Sequence, residues 1–143
     1  MPQIQRYRSR VSGPLLDRID IHVEAPAVRV DDLQDNRLGE SSYDIRNRIQ
    51  KCRAIQAKRY QENKLLSNAN ITNKMLVKYC KIGTKEAAIL KRAMNELSLS
   101  ARAYDKILKV SRTIADLADS ENIEMNHLLE AIQYRSLDRS LIL

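Results

Sequence analysis

The residues best suited to act on a partner are the cations. Lysine and arginine number 25 against 18 carboxylates, giving a net charge of +7 and a pI near 9.6. That balance favours anionic partners, either nucleic acid or nucleotide phosphates, although a solvated basic surface has the same composition. The other chemistries lack their parts. Glycine occurs only at positions 13, 39 and 83, so neither GxxxxGK[ST] nor GxGxxG can be written, and no loop can cradle a phosphate. Cys52 and Cys80 stand far apart without a CxxC partner, and His22 and His127 are the only histidines. No metal-ligand spacing results, and two small buried or half-buried thiols are the expectation. No Cys/His pairing or GxSxG turn supports a nucleophile. The acidic pairs Asp31-Asp32 and Glu121 near Glu124 fall in loops and helix starts, where acids suit the helix dipole. The residues alone give no complete active site.

The elements that must position these cations are mostly helical. The chain has 143 residues, 43% hydrophobic and 30% charged, without Phe or Trp, so its core must use Leu, Ile, Val, Ala, Met and Tyr. Few Gly and Pro beside abundant Leu, Ala, Lys and Arg favour helix. No apolar run reaches the roughly 20 residues of a membrane span, and no hydrophobic signal region opens the chain, so a cytoplasmic protein is expected.

A basic stretch with Arg6, Arg8 and Arg10 ends in the turn signal Gly13-Pro14. From Ile19 to Ala25 the chain alternates, with Ile19, Ile21, Val23 and Ala25 on one face and Asp20, His22 and Glu24 on the other. Period two predicts a half-buried strand, closed by Pro26. Either Ala27 to Val30 pairs with it or its partners are absent. Asp31 to Glu40 reads as a polar linker.

Beyond it the period becomes helical. Ser41 to Asp44 fits a capping box opening a helix to about Gln61. Ile45, Ile49, Cys52 and Ile55 mark its inner face; Arg46, Arg48, Lys51, Arg53, Lys58 and Arg59 mark its outer face. A short helix after Thr72 should bury Met75, Leu76 and Tyr79 and stop at Gly83. Thr84 should cap a third, with Ile89, Leu90, Ala93, Met94 and Leu97 inward. Ser100 should cap a fourth through Tyr104, Ile107, Leu108, Ser111, Ile114, Ala115 and Ala118. Asn126 opens the last, to about Arg135. The organisation is a strand-bearing arm joined to a helical module.

Two segments resemble a known family. Ser12-Gly13-Pro14-Leu15-Leu16-Asp17-Arg18-Ile19-Asp20-Ile21, followed by Val23-Glu24-Ala25-Pro26, is similar to a segment of magnesium-chelatase-like AAA+ proteins, closest to the bacterial competence-related branch called YifB or ComM. Ser100 to Ala118 resembles the C-terminal lid of the same group, and His127-Leu128 with Glu130 to Arg135 its closing helix. The resemblance spans about Arg6 to Arg135.

It implies a mainly α fold: a helical AAA+ lid-type bundle preceded by an arm with one strand, the last strand of an absent α/β core. The implied domains are residues 1–39 as the arm, 40–138 as the lid and 139–143 as a tail. Arg18 would be the catalytic arginine finger, reaching a neighbouring subunit's ATP. A planar, permanently charged guanidinium suits γ-phosphate oxygens, and such fingers are worth about three to five orders of magnitude in turnover. On the residues alone Arg18 reads as a surface residue in a turn, paired with Asp17 or Asp20; the resemblance turns the reading towards the finger. Arg102 would be the sensor-2 residue binding the nucleotide of its own subunit from a helix N-terminus, which favours anions. Arg10, Lys109 and Arg112 are weaker candidates, and for the last two the plainer reading is the solvated side of the lid helix.

The family's Walker A, Walker B and sensor-1 residues should lie upstream of Met1. The chain is therefore expected to be a fragment that binds no ATP-magnesium by itself and is inactive alone. The full-length protein would use ATP with magnesium in a homo-oligomeric ring acting on DNA. The arm up to Gly39 should then be disordered, or recruited by another chain or by the helical module. Two other readings remain: a basic helical nucleic-acid-binding module, and a metal-chelatase subunit handling a porphyrin, for which the chain supplies no site.

Overall fold

A computed structural model describes residues 12–28, 39–65 and 67–135. They form α1 (Gly13–Leu16), α2 (Ser42–Arg59), α3 (Asn73–Tyr79), α4 (Thr84–Glu96), α5 (Ala101–Leu117) and α6 (Met125–Gln133). Two 3₁₀ turns, Gln61–Asn63 and Asn68–Asn70, connect α2 to α3. The fold is mainly helical, as expected. Arg6, Arg8, Arg10, most of the polar linker and the tail 139–143 lie outside the described residues.

Serine caps set two of the helix starts. Ser41 Oγ accepts the Asp44 N–H at 3.1 Å and donates to the Asp44 carboxylate at 2.6 Å. Ser100 Oγ accepts the Ala103 N–H at 3.1 Å. Each such cap is worth about 1 kcal/mol. Glu124, two residues before the expected Asn126, precedes α6, and its N–H donates to His127 Nδ1 at 3.1 Å. Gly83 does not stop α3, which ends at Tyr79; it is the N-cap of α4, and Thr84 is that helix's first residue.

The ends of α4 and α5 meet the scarcity of glycine. Leu99 N–H reaches back to Met94 O at 3.0 Å, and Ser120 N–H to Ala115 O at 2.8 Å. This six-to-one closure requires a left-handed residue, usually glycine. Here Ser98 (φ 49°) and Asp119 (φ 55°) adopt it.

Helix α5 is the axis of the bundle, packing against α6, α2, α3 and the second 3₁₀ turn, while α4 packs on α6. Tyr60, Ile71, Leu76, Cys80, Leu90, Ile107, Leu108, Ala115, Ile123, Leu128 and Ala131 form its apolar core. Tyr60 and Tyr79 meet edge to face, ring centres 5.0 Å apart. The expected inner face of α2 is only partly buried: Cys52 and Gln56 are inside, but Ile45 and Ile49 are exposed. The apolar period of α2 is thus only half used: Ile49 borders Thr113 and Leu117 across a shallow cavity instead of packing into the core.

A polar seam joins α2 to α5. The buried Asp116 carboxylate accepts from Arg59 Nη1 at 2.8 Å, from Arg59 Nη2, from Arg112 Nε at 3.1 Å and from Asn68 Nδ2 at 2.9 Å. Asn68 also accepts the Tyr60 hydroxyl at 2.6 Å, and its N–H donates to Gln56 Oε1 at 3.1 Å. Arg112 directs its remaining donors to Glu121 O at 2.8 Å and Ser120 O at 2.6 Å, so it also fastens the α5–α6 turn.

The expected strand at Ile19 to Ala25 does not form, and no strand occurs among the described residues. Burial on this stretch does not follow the expected alternation, since both faces are exposed apart from one residue. His22 is buried at 5%, whereas Ile21 and Val23 are 45% and 72% exposed. Extended backbone needs a ladder neighbour to satisfy its polar groups. Instead the helical module takes up the arm: His22 N–H donates to Tyr134 O at 2.8 Å, and His22 Nε2 lies 3.2 Å from Leu16 O. Of the three fates expected for the arm, the described part follows the last, recruitment by the helical module.

Substitutions at the helix ends and in the seam should have opposite signs. Serine tolerates the left-handed region less well than aspartate does, so Ser98→Gly should stabilise the fold by about 1 kcal/mol and Asp119→Gly by less. Asp116→Ala leaves the buried Arg112 guanidinium and the half-buried one of Arg59 without their anion and should cost about 3–5 kcal/mol. Urea denaturation of the chain reads both.

Candidate functional site

The N-terminus of α5 and the arm meet in one polar junction. Arg102, second residue of α5, has a side chain 56% exposed. Its Nη1 lies 2.8 Å from Asp17 Oδ2, and Ser100 Oγ donates to Asp17 Oδ1 at 2.5 Å. The cap serine and the first-turn arginine thus seat a carboxylate together where the helix dipole favours negative charge. The Ser100 hydroxyl and then the Arg102 guanidinium hold the Asp17 carboxyl below its ordinary range, against an opposing contribution from burial.

Arg18 sits on the adjoining turn, exposed, with Nη1 donating to Pro14 O at 3.0 Å. It pairs with neither Asp17 nor Asp20: the first is held by Ser100 and Arg102, the second by Lys106. The backbone beside Arg18 is fixed from the bundle. Lys106 Nζ donates to Arg18 O at 2.7 Å, and Arg135 Nη1 donates to Ile19 O. Arg18 and Arg102, remote in sequence, therefore share one structural unit.

The weaker candidates separate. Lys109 Nζ donates to Ile71 O at 2.9 Å and Ala69 O at 3.3 Å, tying α5 to the second 3₁₀ turn. Arg112 is buried in the Asp116 seam and is not on a solvated side, because its partners Asp116, Ser120 and Glu121 draw it inward. Arg59, expected on the outer face of α2, likewise turns onto Asp116. Arg10 lies outside the described residues. Asp17, Ser100, Lys106 and Arg135 are site residues that the pattern alone did not single out.

Beside the junction a groove of about 670 Å³ runs between the arm and α5. Val110, Ile114 and Leu117 supply apolar lining, and Arg102, Lys106 and Lys109 line it with charge. Elsewhere the chemistry is quiet. Burial pushes the Cys80 thiol up to about 11 and also raises that of Cys52, so neither favours the reactive thiolate. Among the described residues no cluster of His, Cys, Asp and Glu is fit to hold a metal, and no helix is long and apolar enough to cross a membrane.

The Asp17 contact sets an acid limit on arm docking. Docking lowers the Asp17 pKa from an ordinary 3.8, so its contribution is complete above that value and is lost as pH falls through the lowered one. Amide protection factors at Ile19 to His22, corrected for the intrinsic pH dependence of exchange, should therefore fall on acidification below about pH 4, and Asp17→Asn should flatten that dependence.

Two family models match the chain: magnesium chelatase, subunit ChlI C-terminal, over residues 39–135, and magnesium chelatase, subunit ChlI, over residues 1–33. Competence protein ComM of Haemophilus influenzae is 44% identical over 140 residues, covering 97% of this chain and 27% of the relative. The uncharacterized protein YifB of Escherichia coli is 40% identical over 141 residues, covering 98% and 27%. An uncharacterized protein of Mycobacterium tuberculosis is 28% identical over 131 residues, covering 92% and 26%. The chain thus spans just over a quarter of the length of these relatives. With the C-terminal model reaching from before α2 past the end of α6, the chain belongs to the magnesium chelatase-like family, alongside ComM and YifB.

Proposed function

We propose that the chain is the C-terminal lid and arginine-finger region of a cytoplasmic AAA+ ATPase that works as a homo-oligomeric ring on DNA. The observation that carries this reading is the carboxylate of Asp17 held by the Ser100 hydroxyl and the Arg102 guanidinium at the start of the 17-residue helix α5. Those donors suit any compact anion, and a phosphate oxygen matches them as a carboxylate oxygen does.

The full-length protein would use ATP with magnesium, which supplies the phosphoryl group to be transferred and a counter-charge for it. Within this chain Arg102 would hold a phosphate of its own subunit. Its place on α5 would make the attitude of the helical module depend on that contact. Arg18, lightly held on a neutral carbonyl and open to solvent, would be offered to the neighbouring subunit. There the guanidinium would stabilise negative charge without moving a proton, because it stays protonated throughout.

Affinity for DNA draws its support from Arg46, Lys51, Arg53 and Lys58, all exposed on α2, together with the net charge of +7. Phosphate-backbone binding of this kind is sequence-tolerant and falls steeply with salt.

In the full-length protein, Arg18→Ala should reduce kcat by about three to five orders of magnitude while sparing nucleotide binding. Unchanged turnover in steady-state ATPase assays would remove the finger assignment. For DNA, replacing Arg46, Lys51, Arg53 and Lys58 by Gln should flatten the plot of log affinity against log salt, by up to about 0.9 for each phosphate no longer neutralised. An unaltered slope would place DNA elsewhere on the protein.

A further inference from the structure

We propose that Lys106 and Arg135 are positioning residues for the Arg18 finger, so that the lid itself aims the finger at the neighbouring subunit. The inference rests on the finger reading above and adds to it the device that sets the finger's position. Among the described residues the Arg18 side chain has one hydrogen bond, to Pro14 O, so its own contacts do little to place it. Its backbone is held far more firmly. The carbonyls of Arg18 and Ile19 each accept a hydrogen bond from a cation, Lys106 on α5 and Arg135 beyond α6. Neither donor is loosely solvated: the Lys106 side chain is 17% exposed and that of Arg135 is 1% exposed.

Charge on a carbonyl dipole makes these stronger than ordinary backbone hydrogen bonds. The carboxylates of Asp17 and Asp20 flank Arg18 in sequence and engage Arg102 and Lys106, which prevents the arm from rotating about the two gripped carbonyls. The Arg135 guanidinium also lies 4.0 Å from Asp17.

The consequence is mechanical. Arg102 and Lys106 occupy the same helix one turn apart. A tilt of α5 that alters the anion contact at Arg102 therefore carries the Arg18 carbonyl with it. The occupancy of one subunit's site would reach the adjoining site through a single rigid helix, without a chain of intermediate residues. Misplacing a catalytic group by about 1 Å can cost about a hundredfold in rate, so losing the Lys106 grip should be felt at the chemistry.

The test uses full-length protein and exploits the finger acting on another subunit. Lys106→Met keeps the aliphatic stem and removes the donor. It should lower kcat about 10- to 100-fold with KM for ATP little changed, and Lys106→Arg should restore most of the loss. Each defective protein is then mixed with a subunit whose phosphate-loop lysine has been removed but whose arm is intact. Turnover should return in mixtures with Lys106→Met as it does with Arg18→Ala, because the partner supplies a correctly aimed finger. Rescue of Arg18→Ala without rescue of Lys106→Met would mean that Lys106 supports its own subunit's site, and would overturn the inference while leaving the finger in place. Normal turnover of Lys106→Met would also overturn it. Failure to rescue Arg18→Ala would instead remove the finger reading and this inference with it.

Discussion

The fold turns on one buried carboxylate. Asp116 brings together two guanidinium groups and one amide from three separate elements, and it has no exposed side-chain surface. A buried anion is tolerated only when its lone pairs are nearly all used, and here they are. That requirement fixes the approach of α2 to α5 more tightly than the apolar contacts between them could, since α2 buries only Cys52 and Gln56. It also fixes the turn into α6 through Arg112. The junction at the start of α5 inherits its geometry from this arrangement, because Arg102, Lys106 and Arg112 stand on one continuous helix.

The arm adds a different kind of order. It has no sheet to join among the described residues and presents exposed Ile21 and Val23. Polar contacts to α5 and the end of α6 hold it in their stead. Such contacts are directional and individually modest, which distinguishes them from the apolar core. An element fastened in this way keeps a defined attitude and can still be released by competition for one or two of its partners. The same property would suit the carrier of a residue proposed, as Arg18 is, to act outside its own subunit.

Much of the helical module is legible in the sequence because its signals are local. Ser41 and Ser100 cap where their hydroxyls predict, and the period of α5 buries Ile107, Leu108, Ser111 and Ala115 as its spacing requires. Alternation misleads at the arm, because it reports which residues share a face and says nothing of a neighbour to pair with. Arg112 escapes a sequence reading for a related reason. Its acid partner four residues on is visible, but the groups that bury the pair, Arg59 and Asn68, reach Asp116 across 57 and 48 residues. Asp17 illustrates the limit most directly. Sequence offers Arg18 as its nearest cation, whereas the fold supplies one 85 positions away.

The junction has an evolutionary consequence. Asp17, Lys106 and Arg135 come from three places in the chain but meet around the backbone of Arg18 and Ile19. Residues that share partners in this way are energetically coupled, so the cost of changing one depends on the identity of the others. Losing Asp17 alone takes a carboxylate from beside Arg102 and Arg135 together, and a second change nearby is the simplest way to recover the balance. Related chains should therefore vary at these positions in concert and keep Arg18 and Arg102 in one frame.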